Sequence, residues 1–150
     1  MQVDAYCIAE RFQGVHELPG ARNNHFVMAM LRLDNSWPKS DEVPWCSAFV
    51  NFVAFVLGLP RSRSLRARSW LLQGQPVPLP AIRRGFDIVV LRRGGGRQPG
   101  PDVIDAPGHV GFFSEARDGR VWILGGNQSD AVTVAPYPIE RILGVRRLWG

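Results

Sequence analysis

Cys46 stands where a thiol can become a nucleophile. It follows Pro44-Trp45 and opens a run of apolar residues that extends to Leu57, with Gly58 just beyond. Pro favours the first position of a helix and Gly the residue past its end, so the run reads as a helix over residues 45–57. The start of a helix offers unpaired amides and the positive end of the helix dipole, and both stabilise a thiolate. Cys7 has a different setting, inside an amphipathic segment on its apolar side, and reads as a structural thiol. A thiol nucleophile needs a base. His16 and His25 lie near Gly and Asn in loop-like surroundings and read as surface residues. His109 opens a strand-like run, Gly108-His109-Val110-Gly111-Phe112-Phe113-Ser114, whose flanking glycines leave room for close approach. A third polar group usually orients such a histidine, and Asn127, in Leu124-Gly125-Gly126-Asn127-Gln128, is the expected orienting residue. Trp45, beside the thiol, is expected to line the cleft and bind substrate, and the backbone N–H of Cys46 to serve as oxyanion donor. No Cys-x-x-Cys or His-x-x-x-His spacing adds further ligands to Cys46 and His109, so neither a metal site nor a cofactor is expected.

The elements that must position these groups change character along the chain. Residues 3–12 and 26–33 carry apolar side chains at helical spacing, and 45–57 is apolar nearly all round, as a buried central helix would be. Ser47 and Asn51 are its exceptions, four residues apart on one face. Residues 61–68 hold four arginines and read as a solvated basic loop. From there short β-like runs follow at 86–91, 109–114, 121–124, 131–135 and 142–148, with a glycine- and proline-rich loop between the first two. Helices first and antiparallel strands after predict an α+β fold.

The 150 residues suit a single domain. Hydrophobic residues make up 45% and charged residues 21%, which excludes a disordered chain. No apolar run reaches the length of a membrane span. The start, Met1-Gln2-Val3-Asp4, lacks a basic patch and an apolar core, so synthesis in the cytoplasm without a signal peptide is expected, and two free thiols rather than a disulfide. The formal charge of +5 rests almost wholly on arginine, Lys39 being the one lysine. It favours polyanions, yet no nucleic-acid-binding signature is found.

Taken together and in order, Pro44-Trp45-Cys46-Ser47-Ala48-Phe49-Val50-Asn51, Gly108-His109-Val110-Gly111-Phe112 and Gly125-Gly126-Asn127-Gln128-Ser129 resemble the Cys, His and polar-residue blocks of CHAP-like and NlpC-type peptidoglycan hydrolases. They look most like the short bacteriophage endolysin forms. Glu17-Leu18-Pro19-Gly20 with Asn24, and Ala67-Arg68-Ser69-Trp70, resemble further segments of that group. Phe86 departs from it, standing where such chains carry Gly. The resemblance implies a papain-like fold, with the nucleophile helix packed on an antiparallel sheet. It also implies cleavage of an amide bond in the peptide part of peptidoglycan, by an endopeptidase or an N-acetylmuramoyl-L-alanine amidase. It carries Cys46 over as nucleophile, His109 as base and acid, and Asn127 as orienting group. Glu17 and Gln128, within the matched blocks, are expected to contact substrate. The expected protein is a monomeric phage or prophage lysin, with residues 1–150 forming one catalytic domain without a wall-binding domain. It would act on the anionic cell wall after release. An antibacterial toxin, or a deamidase or acyltransferase of the same fold, retains the chemistry with another substrate, and a non-catalytic basic binding module would not need Cys46.

The segment 116–120 reads as a hairpin turn. A three-residue loop closed by Gly119 sets Ala116 against Arg120 and Phe113 against Ile123, which brings His109 opposite Asn127 on one sheet face. A two-residue Asp118-Gly119 loop would set Arg117 against Arg120 and His109 against Gln128. The first register is expected, because it points His109 and Asn127 the same way and avoids the facing arginines.

Overall fold

The computed structural model describes residues 2–20 and 22–149. Short polar caps start its first two helices. The Asp4 carboxylate accepts from the backbone N–H of Cys7 at 2.8 Å and opens α1, Ala5–Glu10. Asn24 accepts from the N–H groups of Phe26 and Val27 and opens α2, His25–Leu31. The long helix α3, Cys46–Leu57, has no side-chain cap, and Trp45 rather than the expected first helical turn occupies its N-cap position. Gly58 ends it at φ 65°, a left-handed conformation that favours glycine, with its N–H on the carbonyls of Ala54 and Phe55. No described helix is long and apolar enough to cross a membrane.

The strands β1 (Gln75–Pro76), β2 (Asp87–Arg92), β3 (Gly108–Arg117), β4 (Arg120–Gln128), β5 (Ala131–Pro138) and β6 (Ile142–Arg147) form one antiparallel sheet in the order β1-β6-β2-β3-β4-β5. Period-two alternation splits their apolar residues between two cores. Ile88, Val90, Val110, Phe112 and Leu124 pack against the helices, whereas Val89, Leu91, Phe113, Val121 and Ile123 build a second cluster on the other face. The helix α3 lies on β3 and β4, with α1 beside it touching the same two strands and α2 packed against it, and its Phe49 meets Phe112 edge-on. This is the α+β arrangement expected from the order of elements.

The tip of the β3–β4 hairpin corrects the expected turn. Asp118 and Gly119 both have positive φ, at 54° and 71°, and form a two-residue loop, so Arg117 does face Arg120. The facing charges are tolerated because the Arg117 guanidinium donates to Glu115 at 3.1 Å and lies over the Trp122 ring. A bulge between Phe113 and Glu115 then moves the inner part of the strand pair into the other register, with Phe113 opposite Ile123. Ser114 sits at that bulge and shares a hydrogen bond with the hydroxyl of Tyr6 on α1.

Candidate active site

A second irregularity decides which side chain meets His109. The pairing of β4 with β5 shifts between Gly125 and Gln128, where Asn127 takes φ 58°. One extra residue in the strand exchanges the faces of everything beyond it. Gln128 therefore arrives where an unbroken strand would place Asn127, and the expectation for Asn127 is corrected: the bond to the His109 ring comes from Gln128, at 2.9 Å between Nε2 and Oε1. Asn and Asp tolerate the left-handed region better than other side chains, and this is the structural service Asn127 performs.

The hydrogen bonds around Gln128 fix the tautomer of His109. The Gln128 amide nitrogen donates to the carbonyl of Thr133 at 2.7 Å, to its hydroxyl at 3.2 Å and to the carbonyl of Ile123 at 3.2 Å. Carbonyls only accept, so the NH2 end must face them and Oε1 must face the imidazole. His109 Nε2 then carries the proton and donates, and in the neutral ring Nδ1 is left as the base. The Tyr137 hydroxyl donates to the same Oε1 at 3.0 Å, and its ring centroid lies 5.3 Å from that of His109. Burial, and behind it the negative charge available on Cys46, push the Tyr137 phenol up to about 12, so it remains a donor. Gln128 is buried with every hydrogen-bonding atom engaged, so its expected role in contacting substrate is replaced by this supporting one.

Cys46 and His109 form a coupled pair. Burial pushes the thiol up, but hydrogen bonding to His109, the imidazolium charge, the backbone of Val110 and the more distant Arg93 together leave it below the ordinary thiol range. Burial pushes His109 down, but the Cys46 thiolate and the Gln128 oxygen outweigh it and leave the imidazole above its ordinary value. The two directions together favour thiolate and imidazolium, the reactive form of a cysteine nucleophile. Cys7 is exposed, which corrects its assignment to the apolar side of α1, and both thiols are free. His16 and His25 are exposed, as expected.

Glycines bring the three elements close enough to meet. A Cβ on Gly126 would stand 2.8 Å from the Trp45 ring and 2.9 Å from Cβ of Phe49, so this glycine lets the start of α3 lie directly on β4. A Cβ on Gly108 would stand 2.9 Å from Arg68 Cγ, next to the histidine. Trp45 itself is fully buried, which corrects its expected place in the cleft, and its Nε1–H donates to Glu17 at 2.8 Å. Glu17 is half-buried and holds the indole rather than an outside ligand. Burial pushes its carboxyl up, aided by the nearby Asp130, Asp41 and Glu42, against the lowering effect of the Trp45 bond.

A cavity of about 400 Å³ opens beside Cys46, lined by Leu65, Arg66, Arg93 and Asp105 among others. Buried polar groups hold the segments that line it. Ser47 and Asn51, the polar exceptions on α3, bind the 62–64 segment. The Ser47 hydroxyl donates to the carbonyl of Ser64 at 2.6 Å, and Asn51 accepts from the N–H of Arg63 at 3.0 Å. Arg68 was expected in a solvated loop, yet it is fully buried. Its guanidinium donates to the carbonyls of Pro99, Gly100, Val103 and Pro107 and so ties down the loop that carries Asp105. Nothing in the local sequence separates this arginine from its exposed neighbours, because its partners lie more than thirty residues away. Among the described residues no three His, Cys, Asp or Glu side chains converge as a metal site would require.

A scan against protein-family models finds no matching family, and no curated protein matches the sequence. Among solved structures, the chain is similar to NlpC1 from Trichomonas vaginalis, with a TM-score of 0.56 and 16% identity over 97% of this chain. The chain spans 43% of the length of that protein's chain. The likeness is one of fold, and it agrees with the α+β, papain-like NlpC-type arrangement described above.

Proposed function

We propose that this protein is a cysteine hydrolase that cleaves an amide bond in the peptide part of bacterial peptidoglycan, as an endolysin of phage or prophage type. The observation that carries the reading is the Cys46–His109–Gln128 chain at the start of a buried helix beside an open cavity. The Cys46 thiolate attacks the amide carbonyl carbon, forming a C–S bond, and the electron pair moves to the oxygen, where the backbone N–H of Cys46 stabilises it. As the C–N bond breaks, the His109 imidazolium gives its proton to the departing amine and leaves a thioester. His109, now neutral, takes a proton from water. The hydroxide adds to the thioester, and loss of the thiolate releases the carboxylic acid and restores the ion pair.

The test is digestion of purified peptidoglycan, with the fragments read by mass spectrometry, which also identifies the bond. Wild type and Cys7→Ser should release the same fragments, and Cys46→Ala none, with an unchanged circular dichroism spectrum. Digestion by Cys46→Ala would refute the assignment.

A further inference from the structure

Tyr137 stands where the Cys46–His109–Gln128 chain meets the second core. It lies on β5, the edge strand of the sheet, opposite Val121, and its ring packs against the cluster on the face away from the helices. Pro136 and Pro138 flank it. Proline fixes its own φ and is tolerated on an edge strand, so the backbone on both sides of the tyrosine is stiff. The ring centroid lies 5.3 Å from that of His109, with 36° between the planes. That separation suits an offset stack and the attraction of a cation to a π-system. The hydroxyl donates to Gln128 Oε1 at 3.0 Å, on the oxygen that accepts from His109 at 2.9 Å. A carbonyl oxygen has two lone pairs, so neither donor displaces the other.

Resting on the hydrolase reading above for what the charged ring does, we infer that Tyr137 is a positioning residue: its aromatic ring supports the imidazolium form of His109, and its hydroxyl fixes that ring through Gln128. The charges around His109 show where this support matters. Cys46, at the start of α3, balances the imidazolium while the ion pair lasts. During hydrolysis of the thioester the sulfur is bound and offers no charge, yet His109 becomes imidazolium again as it takes the proton from water. Arg93, which follows β2, repels that charge, and Arg141, which follows β5, acts on Tyr137. Neutral Gln128, on β4, and the Tyr137 ring then support the buried cation. A π-system does so without itself changing protonation, so its contribution persists through both halves of the reaction.

The test varies the ring at this position and follows His109 by NMR titration in 13C-histidine-labelled protein, with no substrate present. Tyr137→Phe retains the ring and should leave the His109 pKa within about a quarter of a unit of wild type, since only the sharing of one acceptor changes. Tyr137→Leu removes the ring and should lower that pKa by about half a unit to one unit. The leucine also loosens the second core, so a second series retains the shape. Tyr137→difluorophenylalanine and Tyr137→trifluorophenylalanine withdraw charge from the π-face in steps, and the His109 pKa should fall below that of Tyr137→Phe at each step. The alkaline edge of hydrolysis should move with it. A flat fluorine series, a His109 titration unmoved by Tyr137→Leu, or a fall as large in Tyr137→Phe as in Tyr137→Leu overturns the inference. Digestion of peptidoglycan by wild type is measured in parallel. A falling fluorine series without cleavage would leave the support of the imidazolium standing and defeat the hydrolase reading, and cleavage with a flat series would do the reverse.

Discussion

Replacing Gln128 by Leu removes the acceptor of the His109 proton while retaining a side chain of similar size. A hydrogen bond to a charged group contributes about 1.5–3 kcal/mol and one between neutral groups about 0.5–1.5, so Gln128 favours imidazolium over imidazole by about 1 kcal/mol. At 1.36 kcal/mol per pKa unit, His109 should fall by a little under one unit in the variant. The thiol is not equally affected: with the imidazolium present on both sides of its ionisation, the Gln128 bond cancels. The pH window of the ion pair should therefore lose its alkaline edge and retain its acid edge. The direct assay follows the His109 ring carbon by NMR titration in 13C-histidine-labelled protein, with exposed His16 and His25 as internal references. The rate profile of hydrolysis gives a second reading of the same edge, since the imidazolium must protonate the leaving amine. Asn127→Gly is the matched control, removing the side chain from a backbone at φ 58° that glycine accepts without strain. A His109 titration unmoved by Gln128→Leu, or moved instead by Asn127→Gly, would refute the tautomer argument.

For wild type, a depressed thiol and a raised imidazole predict a bell-shaped profile. Activity should rise with Cys46 ionisation below the ordinary thiol pKa and fall with His109 deprotonation above the ordinary imidazole pKa. A single-sided profile would contradict the ion pair. Gly126→Ala drives a methyl into Trp45 and Phe49 and should cost about 1–3 kcal/mol in urea unfolding, with activity lost beyond what unfolding explains because the start of α3 moves. Glu17→Ala leaves the buried Trp45 N–H without its acceptor and should cost about 1–3 kcal/mol. Glu17→Gln retains that acceptor, removes a poorly solvated charge and should match or exceed wild type in thermal stability at neutral pH.

The local pattern around Pro44, Cys46 and Gly58 suffices to start and stop a helix and to put a thiol at its positive end, because caps and dipoles act within a turn. Short apolar runs likewise mark β2 and β3, and the order of elements points to the α+β class. The partner of His109 is another matter. It depends on two bulges, at Ser114 and around Asn127, and each shifts the register by one residue. The first is supported by Tyr6 on a distant helix, and the second is locked by Gln128 reaching Thr133 and Ile123. A count along the sequence carries no record of either, so Asn127 and Gln128 exchange roles. The same holds for Trp45, Glu17 and Arg68. An indole beside a nucleophile, a carboxylate and an arginine look like surface chemistry until long-range contacts bury the first and last, and only the packed structure supplies the carbonyls and the carboxylate that make such burial tolerable.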